Sequence, residues 1–315
     1  MQNQPYRIRN GCQWRAAILA TAVLAGTCVA AVDDTAKRGG ANRPGTSQSD
    51  RPDVTTSFVA YMVTVNDRTF PVAGELRVPR TAGTGAQPAV VIVHGSGGVD
   101  SRGQRYAAAL NDAGFVTLEI DLWAARGIRS PAERPKGVPE TLPDAFGALA
   151  LLSARADVDP RRIGIMGFSW GGVVSMLSAT QRYRDAFATG DQAFAAHAPL
   201  YPVCWVYNVV PGYEFKELVG APVFIQAGTA DTYDQPDRCT RLRESLQEPT
   251  RSLVDVRMYD GATHGWDRRE PDTTINDPFA HEGRGGPVAM LGDAKATQAS
   301  VAAIVSYFSR VLKPQ

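Results

Sequence analysis

Residue types that mark metal, nucleotide and redox sites are scarce in this sequence. Its 315 residues include four histidines and four cysteines, and no Cys/His or carboxylate cluster has the spacing of metal ligands. The sequence has neither a G-x-G-x-x-G fingerprint nor the lysine of a P-loop. We therefore expect no metal and no organic cofactor.

An excess of one charge is also missing. Lys and Arg together number 33 and Asp and Glu number 32, which gives a formal net charge of +1. Because no basic stripe is present, nucleic acid is not an expected partner. The hydrophobic share of 44% and the charged share of 21% are typical of a globular domain. They predict no particular oligomeric state.

The N-terminal segment has a short apolar run in place of a membrane span. Residues 16–30 are small and apolar but fall short of the roughly 20 residues that cross a bilayer. Arg7, Arg9 and Arg15 precede them, and small residues suited to cleavage follow. This pattern predicts a signal peptide at residues 1–31 and export to the periplasm or the medium. A lipid anchor at Cys28 is the less favoured alternative.

Residues 32–57 are predicted to be a flexible linker. The stretch is rich in Gly, Pro, Ser, Thr and charge, so it has little apolar surface to offset the entropy of ordering. The remaining residues, 58–315, are predicted to form one domain. Cys204 and Cys239 lie in this domain, and in an exported protein such a pair favours a disulfide. Two buried thiols are the alternative.

Strand and helix patterns alternate along residues 58–312, which predicts a mostly parallel sheet flanked by helices. Residues 127–141 and 267–292 are predicted to be loops, and residues 157–160 a turn. The predicted strands are 58–65, 70–79, 88–93, 115–120, 163–168, 193–198, 222–226 and 253–259, and the predicted helices include 103–112, 144–154, 236–247 and 293–312.

Residues 163–172 read IGIMGFSWGG and carry the strongest functional signal. A strand, a G-x-S-x-G turn and a helix together form a nucleophile elbow, in which the serine hydroxyl stands clear of the sheet. Ser169 is the predicted nucleophile. The alternative is that Ser169 only caps the helix that follows a glycine turn.

An acid and a histidine follow in the order that such a nucleophile requires. Asp231 comes directly after one predicted strand, and His264 after the next. His264 is the expected general base, with Asp231 fixing its tautomer. Asp234 is the rival acid, and either aspartate is also a plausible helix cap. Of the other histidines, we expect His94 to support a glycine loop, His197 to be a satisfied core residue and His281 to be solvent-exposed.

A glycine loop, HGSGG at residues 94–98, follows the third predicted strand. Acyl transfer builds negative charge on a carbonyl oxygen, so backbone N–H donors must converge on it. We predict Trp170 as one donor and Ser96 as the second, with Gly97 next.

Aromatic residues near the strand ends are candidates for a substrate pocket, or equally for packing. Residues 199–220 are expected to form a small cap, and residues 267–292 its rim. The candidates for the pocket are Tyr201, Trp205, Tyr233 and Trp266.

These motifs resemble the α/β-hydrolase superfamily and, within it, the dienelactone hydrolase family. The resemblance covers residues 58–312 and rests on VIVHGSGG (91–98), GFSWGG (167–172), GTAD (228–231) and GATHGW (261–266). It implies an α/β-hydrolase fold, and Cys204 and Cys239 look similar to a cysteine pair in exported members. The founding members have a cysteine nucleophile, where this chain has Ser169. They also have a glutamate in the glycine loop, where this chain has Ser-Gly-Gly at residues 96–98. The transferable expectation is hydrolysis of a small-molecule ester.

Two other classes of function compete with a carboxylic ester hydrolase. A serine peptidase of the prolyl-oligopeptidase type has the same order of motifs, but such enzymes usually carry a large extra domain that this chain has no room for. A non-catalytic binding module on the same fold is the other alternative. The presence of Ser169, Asp231 and His264 argues against it, because silent relatives typically lose one of these residues. Fold alone does not decide function.

Overall fold

The computed structural model describes residues 53–80 and 85–313. The predicted signal peptide and most of the predicted linker lie outside these residues. The strands in the described residues are β1–β10, at Val54–Val65, Arg68–Pro79, Gln87–Val93, Val116–Asp121, Val158–Phe168, Ala196–Leu200, Val223–Gly228, Val254–Tyr259, Thr273–Asp277 and Gly286–Met290. Eight helices are α1–α8, at Ser101–Asp112, Leu142–Ser153, Trp170–Ser178, Gln181–Phe187, Arg238–Ser245, Thr250–Leu253, Ala280–Gly283 and Ala294–Leu312.

Eight of the strands form one sheet in the order β1-β2-β4-β3-β5-β6-β7-β8. β1 pairs antiparallel with β2, β2 pairs antiparallel with β4, and the other neighbours are parallel. This confirms the mostly parallel sheet. Parallel strands are buried on both faces, and the fully buried run from Ala89 to Val93 shows this.

Two apolar cores lie on the two faces of this sheet. One contains residues of α2, α3 and α5 such as Leu149, Val174 and Leu242. The other contains residues of α1 and α8 such as Leu110 and Phe308. The parallel connections therefore place their helices on both sides, and the carboxyl ends of the strands stay open for a site.

Local signals set the ends of the flanking helices. Asp100 caps α1 by accepting the N–H of Arg102, and Asp293 caps α8 by accepting the N–H of Ala296. Gly114 follows α1 with φ +78°, a conformation that glycine adopts at little cost. These capping residues explain why both helices were predictable from the sequence.

Three local predictions differ from the structure. β1 begins at Val54, ahead of residue 58, because Val54 pairs with Pro79. Residues 158–160 are strand instead of turn, because Val158 pairs with Gln87. The predicted loop at 267–292 contains the β9–β10 hairpin and the single turn α7. Each difference comes from pairing with a segment that the local pattern does not show.

No helix in the described part of the chain combines the length and the apolar character that crossing a membrane needs.

Candidate active site

Ser169 lies between β5 and α3 in a conformation that non-glycine residues rarely adopt. Its φ is +51° and its ψ is −108°, and such strain is typical of functional sites. A Cβ at Gly167 would lie 2.3 Å from the backbone of Gly171, and one at Gly171 would lie 2.1 Å from the carbonyl oxygen of Val93. The glycines of the G-x-S-x-G turn are therefore required by close backbone approach.

His264 connects Ser169 to Asp231. The Ser169 hydroxyl donates to His264 Nε2 at 2.8 Å, and His264 Nδ1 donates to Asp231 Oδ2, also at 2.8 Å. His264 and Asp231 are buried. The second oxygen of Asp231 accepts the N–H of Tyr233 at 3.0 Å, which fixes the carboxylate. The structure thus brings the three predicted residues together.

The rival acid Asp234 has a different partner. Its two carboxylate oxygens accept the N–H groups of Cys204 at 2.6 Å and of Trp205 at 2.7 Å. Burial, together with the nearby charge of Asp231, raises the pKa of Asp234 to about 7. Asp234 is therefore a cap for the 3₁₀ turn Cys204–Val206 rather than a partner of His264.

The other histidines have hydrogen-bond partners other than Ser169. His94 is buried and donates from Nδ1 to the carbonyl of Gly95, while its Nε2 accepts the N–H of Leu122; it supports the glycine loop, as predicted. His197 is a core residue whose Nδ1 bonds the carbonyl of Ser175, but its buried Nε2 has no hydrogen-bond partner among the described residues, so the prediction of a satisfied histidine is only partly correct. Burial lowers its pKa to about 4. His281 was predicted to be exposed, but it is half-buried because its Nε2 donates to the carbonyl of Pro287.

The two predicted oxyanion donors border the same cavity as Ser169. Trp170 is the first residue of α3, so its N–H has no partner within the helix. Ser96 lies in the loop after β3, whose turn is closed by the N–H of Gly98 and the carbonyl of Gly95. Ser96 and Ser169 border the same cavity, whereas Gly97 borders a separate one. This favours Ser96 over Gly97 as the second donor.

The cavity beside Ser169 has a volume of about 350 Å³ and a mainly apolar wall. Volumes from about 300 Å³ upward are typical of small-molecule sites. Its apolar wall comes from α3, the 3₁₀ turn and the residues around it, the segment around residue 138, the loop after β7 and the β9–β10 hairpin. The residues are Val138, Trp170, Val173, Val203, Trp205, Val206, Val210, Pro211, Tyr213, Tyr233 and Phe279.

Two of the four predicted pocket residues line this cavity. Trp205 and Tyr233 do so, and the ring of Tyr233 also lies 4.4 Å from that of His264. Tyr201 and Trp266 do not, because each side chain is enclosed by the core behind His264. For these two residues the packing alternative is therefore correct.

Two charged residues that line the cavity, Arg134 and Asp277, were not predicted from the sequence. Arg134 pairs with Asp277 at 3.0 Å, and its guanidinium carbon lies 5.5 Å from the centre of the Trp170 ring. Arg134 belongs to a stretch predicted only as loop, and Asp277 ends β9. Their pairing joins two segments 143 residues apart, so no local sequence pattern predicts it.

Cys204 and Cys239 form a disulfide with 5.1 Å between their Cα atoms, which confirms that prediction. Among the described residues, the one group of metal-ligand type is Cys204, Asp234 and Cys239. It fits a metal poorly because its two sulfur atoms are bonded to each other. A disulfide is consistent with an oxidising compartment; export stays a prediction.

The architecture and the geometry around Ser169 define an α/β-hydrolase. The model of the family described as "Dienelactone hydrolase family" matches residues 73–312, and the chain belongs to that family. A Bradyrhizobium protein named "Probable 2-oxo-3-(5-oxofuran-2-ylidene)propanoate lactonase" is 33% identical over 193 residues, which cover 58% of this chain and 75% of the relative.

Solved structures agree with this fold. A dienelactone hydrolase from Anabaena variabilis aligns with a TM-score of 0.50 and 20% identity, over 82% of this chain and 99% of that protein. Esterase 2 of Thermogutta terrifontis, phosphorylated by paraoxon, aligns with a TM-score of 0.55 and 17% identity, over 81% of this chain and 96% of the esterase. At these identities the likeness concerns the fold alone.

Proposed function

We propose that this chain is a serine hydrolase that cleaves a carboxylic ester through an acyl-serine intermediate. The observation that carries the proposal is the continuous line of two 2.8 Å hydrogen bonds from Ser169 through His264 to Asp231, at the wall of an apolar cavity. Family membership supports hydrolase chemistry in general. The ester and the roles of the three residues are the proposal.

In the first half-reaction, Ser169 Oγ attacks the ester carbonyl while His264 Nε2 takes the hydroxyl proton. Asp231 holds the Nδ1–H tautomer and stabilises the imidazolium that forms. The N–H groups of Trp170 and Ser96 stabilise the negative charge on the carbonyl oxygen. His264 then gives the proton to the departing alkoxide, which leaves as the alcohol and an acyl-serine.

In the second half-reaction, water replaces the alcohol. His264 takes a proton from the water as its oxygen attacks the acyl carbonyl, and returns it to Ser169 Oγ when the acid leaves. The same donors serve both tetrahedral intermediates, so one site performs acylation and deacylation. No further group is needed to balance either step.

The cavity supports an apolar acyl or alcohol portion in the substrate. Trp205, Tyr233 and Phe279 offer ring faces, and Val173 lies beside Ser169 and Trp170. The Bradyrhizobium relative is named as a lactonase, and a lactone is a cyclic ester that the same two half-reactions open. Lactones therefore belong in the substrate screen with open-chain esters.

Active-site labelling tests this proposal. We expect the purified protein to react with a fluorophosphonate at Ser169 and to turn over short-chain p-nitrophenyl esters. Both activities should vanish in Ser169→Ala. The control Ser178→Ala should retain them, because it changes a buried serine on α3 whose hydroxyl donates to the carbonyl of Ser175. A folded wild-type protein that neither labels nor hydrolyses any ester would contradict the proposal and favour the binding module.

A further inference from the structure

A buried polar cluster lies behind His264, on the side away from the cavity. Its core is Arg102, Tyr201 and Asp267, which we call the Arg102–Tyr201–Asp267 cluster. The Tyr201 hydroxyl donates to Asp267 Oδ1 at 2.6 Å and accepts from Arg102 Nη1 at 3.2 Å. All three residues are almost fully buried. The proposed mechanism uses none of them.

Tyr201 links this cluster to the imidazole of His264. The two rings meet edge to face with 4.9 Å between centres. Tyr201 is fixed at its backbone too, because its N–H donates to the carbonyl of Gln226. Its φ of +39° is unfavourable for a tyrosine, so the surrounding bonds hold it in place.

Asp267 anchors the loop that carries His264. It lies three residues after His264, and its Oδ2 accepts a second hydrogen bond from Tyr106 at 2.9 Å. Burial raises the pKa of Asp267, while the Arg102 guanidinium and the two hydroxyls act in the opposite direction. A buried carboxylate with so many partners resists displacement, because moving it would leave polar groups unpaired.

Arg102 places the same cluster against the other loops of the site. Its guanidinium is paired with Asp100 and lies 5.3 Å from the ring centre of Phe168, the residue before Ser169. A Cβ at Gly95 would be 3.2 Å from Nη2, and one at Gly265 would be 3.5 Å from Nη1. One side chain thus contacts the glycine loop, the elbow and the His264 loop.

We propose that Tyr201 is a positioning residue: held by Arg102 and Asp267, its ring fixes the His264 imidazole in line with Ser169. The inference rests on the proposed function, because it takes His264 as the general base. It concerns a residue that does not line the substrate cavity and that contacts the proposed base only through its ring. Tyr201 therefore acts on catalysis only through the orientation of His264.

A matched pair of hydroxyl deletions tests this. Tyr201→Phe and Tyr106→Phe each remove one hydrogen bond to the Asp267 carboxylate from a fully buried ring. The side chain of Tyr106 contacts Ser300 and Phe168 but is not in ring contact with His264. The two variants should lose similar melting temperature, so any difference in kcat reports on His264.

We expect Tyr201→Phe to lower kcat by about 10- to 100-fold with KM unchanged, the loss typical of a misplacement of up to 1 Å. Tyr106→Phe should keep kcat near the wild-type value. Fluorophosphonate should still label all of the Tyr201→Phe protein, but with a smaller rate constant. Equal kcat values in the two variants, or a smaller labelled fraction with an unchanged rate constant, would overturn the proposal in favour of a purely structural role.

A spectroscopic measurement separates this inference from the proposed function. The proton on His264 Nδ1 that bonds Asp231 gives a low-field NMR resonance that needs no substrate. We expect this resonance to broaden or shift in Tyr201→Phe and to stay in place in Tyr106→Phe. An unchanged resonance in Tyr201→Phe contradicts the positioning role, whatever the protein hydrolyses. Absence of ester hydrolysis in the wild type contradicts only the proposed function.

Discussion

Asp231 and Asp234 lie three residues apart on one loop, yet their carboxylates bind different parts of the site. Asp231 accepts from His264 Nδ1 at 2.8 Å. Asp234 accepts from the backbone of Cys204 and Trp205, in the wall of the cavity. One short loop after β7 therefore fixes both the proposed base and the wall that faces the substrate.

The first prediction separates the two aspartates. Asp231→Asn should lower kcat for a p-nitrophenyl ester by about three to four orders of magnitude, because the amide favours the wrong tautomer of His264. Asp234→Asn should leave kcat near wild type and lower the melting temperature, since its oxygens bond only backbone N–H groups. Equal losses of kcat in the two variants would contradict this assignment.

The second prediction concerns the pH dependence of stability. The pKa of Asp234 rises from 3.8 to about 7 in the folded protein, so between these values the folded state binds a proton that the unfolded state lacks. By linkage, this group's contribution to the free energy of unfolding decreases as the pH rises from about 4 to about 7. It is largest below pH 4 and absent above pH 7.

Thermal unfolding of wild type and Asp234→Asn at pH 5 and pH 8 tests this sign. The asparagine does not titrate, so the melting temperature of the variant relative to wild type should be higher at pH 8 than at pH 5. Other titrating groups cancel in the comparison. A difference that stays constant between the two pH values would show that Asp234 does not titrate in this range.

The third prediction concerns the Cys204–Cys239 disulfide. It closes a loop of 35 residues, and its loss should lower the free energy of unfolding by about 4 kcal/mol in the chain-entropy model. Because Trp205 and Val206 line the cavity next to Cys204, KM should rise in the Cys204→Ser/Cys239→Ser variant. As a control, the free energy of unfolding and the KM of the wild type are each measured with and without a reductant. An unchanged KM would show that the Asp234 cap alone holds this wall.

The residues nearest the chemistry were the most predictable from the sequence. Ser169, Asp231 and His264 each follow a strand of the sheet, and parallel strands bring their carboxyl ends to one edge of the sheet. Hydrophobic pattern and chain order therefore suffice to place them. The glycines at 167 and 171 mark the turn because only glycine fits its backbone contacts.

Features that depend on distant pairing were not predictable. Tyr201 and Trp266 have the same aromatic character as Trp205 and Tyr233, and only the fold decides which rings face the cavity. The bond between Tyr201 and Asp267 joins residues 66 positions apart. No periodicity encodes such a contact, so the Arg102–Tyr201–Asp267 cluster is visible only in the structure.

The fourth prediction tests why the elbow needs glycine, using two glycines of the site. Gly171→Ala places a Cβ 2.1 Å from the carbonyl oxygen of Val93, and the nearest atoms are all backbone of Val93 and His94, so no side chain can move aside. The elbow must then move away from the glycine loop, which carries the proposed donor at Ser96. We expect kcat to fall by about two orders of magnitude or more, as for an active-site displacement near 1 Å.

Gly97→Ala is the matched control, since a Cβ there meets nothing within 4 Å and its φ is not positive. This variant should keep the wild-type melting temperature and kcat, because the alanine retains the backbone N–H. Ester turnover and thermal unfolding of both variants complete the test. Wild-type activity in Gly171→Ala would contradict the tight contact between the elbow and β3. A large loss in Gly97→Ala would instead mean that a Cβ at residue 97 obstructs the substrate, which would contradict the place of Gly97 outside the cavity beside Ser169.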